Sequence, residues 1–308
     1  QGQTGTASPD LPITGIAGST FRVSNLDKAR HYYQGVLGFP EAFSLKDENG
    51  HGIVAFKVND DQFIEVVDGL APGSSDRQAR ISFLSSDVAR LHDIYAGRGL
   101  NPTAVHPGPD GNPVFRVVSP DGTPLDFVQY LPTSPQAKAR GSLLDARRLS
   151  THMQHVGIYT KSRDSVAPFY QDKLGFAGGR EVPGGRGEYI ETPSSDRNLE
   201  TKWPLLDPND PQTKAQYDRE VMGAVQHIGL AVTEMRAARD LAQDRGDLTD
   251  LQVRCHVGNN KHWLMHLFDP DGTRAEISRS RRGNCPGLQR SCLSGLGFRR
   301  EPPHPAGM

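Results

Sequence analysis

Cysteine is scarce in this chain, long apolar runs are missing, and neither sign of charge predominates. Three cysteines in 308 residues make no disulfide framework: Cys255 stands alone in an expected strand, and Cys285 and Cys292 form a thiol pair in the tail. No apolar stretch reaches the roughly 20 residues that a bilayer demands, so no membrane partner is expected. Thirty-five basic against 36 acidic residues leave a net charge of −1. With no long run of either sign, nucleic acid has no electrostatic footing as a partner. The chain begins at Gln1 with the polar stretch GQTGTASPD. A removed signal peptide leaves such an end, as does trimming, and the reading here leans to export.

What the chain does have is repetition. YYQGVLGF (Tyr32 to Phe39) returns as FYQDKLGF (Phe169 to Phe176), 137 positions on, and SPDGTPLDF (Ser119 to Phe127) returns as DPDGTRAEI (Asp269 to Ile277), 150 positions on. A duplication of that period means two copies of one unit. Each copy divides again. From Ile13 the pattern reads strand, cap candidates Ser24 and Asn25, and then a helix with Leu26, Ala29, Tyr33 and Val36 at helical spacing, ending at Gly38. Short strands follow in HGIVAFKV and QFIEVVD. The same order recurs after Arg80, His155 and His227. The reading is four strand–helix–strand–strand–strand modules, about 13–70, 78–131, 152–206 and 224–279. They give an N-terminal extension 1–12, a first domain 13–131, a linker 132–151, a second domain 152–279 and a mobile tail 280–308 without any period. WPLLDPNDPQTKAQYDRE, between the last two modules, is expected to wrap the surface.

SNLDKARHYYQGVLGF and SPDGTPLDFVQY, with their later copies, resemble the vicinal oxygen chelate superfamily, which includes glyoxalase I, extradiol dioxygenases, methylmalonyl-CoA epimerase and the bleomycin and fosfomycin resistance proteins. The resemblance spans about residues 13–279. It implies an α+β fold of two tandem domains, each of two paired βαβββ modules forming a U-shaped half-barrel around a metal-holding cleft. In that family's module the first and last strands are neighbours, so a first-strand histidine and a last-strand acid face one cleft.

A divalent ion in an open site needs such convergent ligands from separate strands. The second half fills all four places: His155 in MQHVGIYT, His227 in VQHIGLAV, Glu276 in DGTRAEIS, and Glu200 in DRNLETKW, which aligns with Glu65 at an offset of 135. Glu188 and Glu191 lie close enough to compete with Glu200. The first half offers Gly18, Arg80, Glu65 and Asp126. Glycine has no ligand and arginine repels a cation, so no metal is expected there, and the front domain serves as structure or as a wall of the cleft. A lone buried histidine is ordinarily a hydrogen-bonded core residue. Two at equivalent points of two repeats, each paired with an acid, point to one divalent ion: Fe, Mn, Co, Ni or Zn. Alternation in KHWLMHLFDP places His262 and His266 on one face, with His266 either exposed or reaching the cleft as an acid catalyst or a support to a ligand. His31, His51, His92, His106, His152 and His256 read as structural or exposed.

Two histidines with two carboxylates is the ligand pattern of glyoxalase I. The implied chemistry is isomerisation or lysis of a small vicinal-oxygen substrate through a metal-stabilised enediolate, with Glu200 or Glu276 as general base. Extradiol ring cleavage is the alternative, with Fe(II) on His155, His227 and Glu276. Against it, no histidine lies between His155 and His227, and His266 stands where ring-cleaving enzymes carry a tyrosine. A third reading is a non-catalytic module that sequesters a drug, but an aromatic content of 7% is modest for a stacking cleft. The expected partner is a small molecule, and the chain is a monomer or a homodimer.

Overall fold

The computed structural model describes residues 10–160, 163–182, 187–194, 198–202, 225–246, 248–249, 252–258 and 261–279. Cys285, Cys292, the tail 280–308, nearly all of the N-terminal extension and the 203–220 segment lie outside the described residues. The front half runs β1 (Ile13–Arg22), α1 (Leu26–Arg30), β2 (Glu41–Lys46), β3 (Gly52–Lys57) and β4 (Phe63–Val67). It continues with β5 (Gln78–Ser85), α2 (Val88–Gly97), β6 (His106–Pro107), β7 (Pro113–Val118) and β8 (Pro124–Val128). After a short helix α3 (Pro135–Lys138), the rear half repeats this order: β9 (His152–Tyr159), α4 (Arg163–Val166), β10 (Ala177–Glu181), β11 (Gly187–Glu191), β12 (Asn198–Lys202), β13 (His227–Ala231), α5 (Met235–Gly246), β14 (Cys255–Val257), β15 (Trp263–Phe268) and β16 (Arg274–Arg279).

Each half curls into one eight-stranded sheet, in the orders β2-β3-β4-β1-β5-β8-β7-β6 and β10-β11-β12-β9-β13-β16-β15-β14. Within every module the first strand pairs in parallel with the last. Two modules then join through their first strands, antiparallel, as β1 with β5 and β9 with β13. This connectivity puts four chemistry-bearing strands side by side in the middle of each sheet, and it is the α+β, tandem half-barrel architecture expected.

The helices cover the other face. Asn25 caps α1 by accepting from the Lys28 amide, and Asp87 caps α2 by accepting from that of Arg90, the usual way of satisfying first-turn donors. One local feature departs from the sequence reading: α1 does not run on as an α-helix to Gly38. It widens to a π turn over His31–Val36, and the rear copy widens in the same way over Ala167–Lys173. Leu37 and Leu174 close these turns with bonds to the carbonyls of Tyr32 and Phe169, five residues back. Gly38 and Gly175 then reverse the chain at φ +75°, a conformation that side chains disfavour.

The two repeated strings meet at the joint between the halves. Tyr33 of the first helix string donates to Asp269 of the second turn string, at 3.1 Å, and the Ser24 amide donates to Asp271 at 2.9 Å. The counterparts meet as well: Ser119 lies beside the buried Tyr170 hydroxyl, and Ser165 bonds Asp121 at 3.5 Å. Phe176, from the second helix string, packs edge-on against Phe83 of the front sheet, with centroids 5.3 Å apart. Phe83 in turn stacks with Phe127, which stacks with Phe115. The linker is docked: the buried Lys57 ammonium bonds the Ser142 carbonyl at 2.8 Å and also that of Ala139, and Leu149 enters the core. Among the described residues, no helix is long and apolar enough to cross a membrane.

Candidate metal centre

Two rows of residues cross the concave middle of the rear sheet. Register sets Glu200, Gly157, His227 and Arg274 in one row, and His155, Gly229, Glu276 and His266 in the next. The rows are two residues apart along each strand, so their side chains share a face. Each histidine stands opposite the other strand's glycine. A Cβ on Gly157 would lie 2.1 Å from His227 Nδ1, and one on Gly229 would lie 2.0 Å from His155 Cε1. Each imidazole thus fills the space that a side chain on the opposing residue would need. The rings meet at 81° with centroids 5.1 Å apart, and their Nε2 atoms are separated by 3.0 Å.

Glu200 Oε2 lies 3.0 Å from His227 Nε2 and 3.5 Å from His155 Nε2, and Glu276 Oε1 lies 3.8 Å from His155 Nε2. The donor atoms of all four residues fall within 4.8 Å of one another, and all four are buried. Atoms held about 2.1 Å from one ion lie at most about 4.2 Å apart, so the four donors would need to close in by only a few tenths of an ångström to share a single divalent cation. Buried carboxylates and imidazoles in such proximity carry a desolvation cost that a bound cation would offset.

The tautomer of His227 follows from its neighbour: Nδ1 donates to the Val225 carbonyl at 2.8 Å, which leaves the Nε2 lone pair facing the group. Burial, aided by the positive charge of Arg274, pushes His227 down to about 3, so it is neutral across the physiological range. Burial alone would raise the Glu276 carboxyl. Nearby His266 and the Arg274 charge override it and hold Glu276 well below the usual carboxylate range. His266 Nε2 lies 3.4 Å from Glu276 Oε2, and its ring meets that of His256 at 82° with centroids 5.0 Å apart. His256, read from sequence as structural or exposed, is half-buried. Both rings line a cavity of about 620 Å³ that Tyr32, Arg254 and Phe268 help to enclose. Burial also lowers His256, with His266 acting in the same direction. His262 precedes β15, outside the four-residue group. Glu188 pairs with Thr201 and accepts from Gln171 at 3.3 Å, and Glu191 is exposed; neither joins the group.

The front sheet has the same two rows with different occupants: Glu65, Thr20 and Arg80 in one, and Gly18, Ser82, Asp126 and Arg116 in the other. Arg80 bonds Glu65 at 2.6 Å and lies 3.6 Å from Asp126, while Arg116 takes both Asp126 oxygens at 2.6 and 2.9 Å. Thr20 donates to Glu65 at 2.8 Å. Two guanidinium groups thus neutralise the two acids where the rear sheet has His227 and His266. A side chain on Gly18 would strike the Phe63 carbonyl at 2.0 Å.

Sequence reasoning passed over three residues of the rear site. Gly157 and Gly229 were signalled by a doubled His-x-Gly string. Arg274 was signalled inside the repeat itself, where SPDGTPLDF has Pro124 and DPDGTRAEI has arginine.

Residues 152–277, the span of the rear sheet, match the family model of the Glyoxalase/Bleomycin resistance protein/Dioxygenase superfamily. The whole chain is similar to the 2,3-dioxygenase LapB from Pseudomonas sp. KL28, with 88% of this chain and 93% of that one aligned at a TM-score of 0.61 and 16% identity. A variant of homoprotocatechuate 2,3-dioxygenase from B. fuscum in complex with HPCA aligns over 89% of this chain and 72% of its own, at a TM-score of 0.63 and 16% identity. The Mn(II)-bound glyoxalase from Novosphingobium aromaticivorans aligns over 87% and 83%, at 0.59 and 16%. At such identities the likeness is one of fold. Among curated proteins none matches the chain.

Proposed function

We propose that the rear domain holds one divalent metal on His155, Glu200, His227 and Glu276, and that the chain is a glyoxalase-like isomerase or lyase acting on a small vicinal-oxygen substrate. The observation that carries this reading is the position of Glu200, whose carboxylate joins the two histidines and Glu276 in one buried group. Four protein donors leave room for two substrate oxygens on a six-coordinate ion, the demand of proton transfer beside a carbonyl. A divalent ion bound there would supply Lewis acidity to those oxygens. Glu200 is the general base, its carboxylate lying against uncharged His227 in the middle of the group. His266 borders both Glu276 and the cavity, where it is placed to return a proton.

A second reading has specific support. The fold likeness to LapB runs through 93% of that dioxygenase, and in a ring-cleaving enzyme built on this chain His155, His227 and Glu276 would be the three iron ligands. Under that reading Glu200 is surplus. A module that only sequesters a small molecule needs none of the four.

Hydroxyacetone in D2O separates the readings. The isomerase reading expects the metal-loaded protein to exchange its carbon-bound protons, Glu200→Gln to keep the metal and lose most of the exchange, and no dioxygen uptake to occur with catechols. Catechol-dependent dioxygen uptake that survives Glu200→Gln would replace it with ring cleavage.

A further inference from the structure

Arg274 sits beside the four-residue group, 93% buried by its 7% exposure, and nothing in the isomerase mechanism above uses it. Its Nη2 atom is 3.1 Å from both ring nitrogens of His227. An atom equidistant from both at that range cannot lie in the ring plane without striking Cε1, so the guanidinium lies over the imidazole face. It meets no lone pair there, and it stacks as arginine does on flat π systems. Its Nη2 lies 3.5 Å from Glu276 Oε2, beyond the range of a good charge-assisted bond. Its Nε is buried with no hydrogen-bond partner among the described residues.

Charge balance turns this into a statement about the ligand. In the front cleft Arg80 and Arg116 face Glu65 and Asp126, and the four charges cancel. Among the described residues, the buried charges of the rear cleft are two carboxylates and, with the imidazoles neutral as ligation requires, one cation in Arg274, Arg254 at the cavity wall being exposed. Adding a divalent ion leaves one positive charge unbalanced in a buried site. Burying such a charge without a counter-ion is costly. The site is therefore completed by an anion, and an arginine with an unused buried donor is the group that would bind it.

Resting on the metal-dependent reading above, we infer that the rear cleft takes a substrate bearing a carboxylate next to a second oxygen, and that Arg274 is the residue selecting it. The front sheet, with Pro124 at the matching place of the repeat, has no such group.

Pyruvate and hydroxyacetone test this, being of similar size with two vicinal oxygens each, one anionic and one neutral. Calorimetric titration of the Mn-loaded full chain should show pyruvate binding about tenfold tighter than hydroxyacetone. Arg274→Gln should lose that preference, about tenfold in pyruvate affinity, with hydroxyacetone unchanged, and Arg274→Lys should recover part of it. Manganese occupancy, read by EPR, should be undiminished in both variants, because removing a cation beside an ion site does not weaken it. Pyruvate affinity unchanged in Arg274→Gln overturns the inference and leaves the metal reading standing. So does a Mn-loaded wild type that binds hydroxyacetone as tightly as pyruvate, or binds neither. Loss of Mn from both variants would make Arg274 a support of the metal group and would also overturn it. Wild type that holds no Mn overturns the metal reading itself, and this inference with it.

Discussion

Gly157 and Gly229 have no side chains, and that allows two imidazoles to face each other across an antiparallel pair of strands. Neither glycine sits in a turn; each is needed because a Cβ would overlap the opposing ring, at 2.1 and 2.0 Å. Gly157→Ala should therefore displace His227 together with the Val225 carbonyl that holds its Nδ1, which the added Cβ would meet at 2.5 Å, without unfolding the sheet. The strain expected of such overpacking, about 1–3 kcal/mol, corresponds to about a tenfold loss of Mn affinity, measurable by titration with the circular dichroism unchanged. Equal affinity would mean that the rings do not need that space. At this scale the sequence disclosed the donors but not their spacing partners. His155, His227 and Glu276 stood out because a repeat offset of 137 to 150 residues laid them on a glycine, an arginine and an aspartate. The role of Gly157 depends on which strand lies opposite it, which no local window contains. Glu200 was hard to separate from Glu188 and Glu191 for a similar reason: strand register decides which acid turns inward.

The strand is the unit that repeats, and its register is what makes one cleft unlike the other. β5 presents Arg80 where β13 presents His227, and Arg80 draws Glu65 and Asp126 together much as a cation would. With these carboxylates only about one-fifth exposed or less, Arg80→Ala should destabilise the chain by about 2 kcal/mol, less than for a fully buried pair. Chemical denaturation checks this, and metal stoichiometry should not change. A variant as stable as wild type would show that the guanidinium bridge contributes nothing. The βαβββ order of all four modules was legible from the spacing of apolar positions and turn residues. The π turns after α1 and α4 were not, because an i to i+5 bond leaves the apolar spacing of Tyr33 and Val36 compatible with an ordinary helix.

Across the whole molecule, the strings that revealed the duplication turn out to build the joint between its halves. Tyr33 reaches Asp269 and Phe176 reaches Phe83, so each half completes the other's surface. Asp269 is nearly enclosed there. Burial raises its carboxyl from about 3.8 to about 6, although the Thr273 amide and Tyr33 hydroxyl pull the other way. A carboxyl raised in the folded state binds its proton there more tightly than in the unfolded chain. Its stabilising contribution is thus complete below about pH 3.8 and lost as pH rises through about 6. Relative to wild type, Asp269→Asn should lose that part of the pH dependence in thermal melts between pH 4 and 7. Parallel curves would place the titration elsewhere. The central claim, that one half of a duplicated fold keeps a metal group while the other replaced it with arginines, is tested most directly by metal content. The full chain, incubated with Fe, Mn, Co, Ni or Zn and freed of excess, is measured beside His155→Ala and His227→Ala. One ion per chain, absent from both variants, is the expected result. Protein that takes up none of the five, or keeps its ion in both variants, would contradict the account.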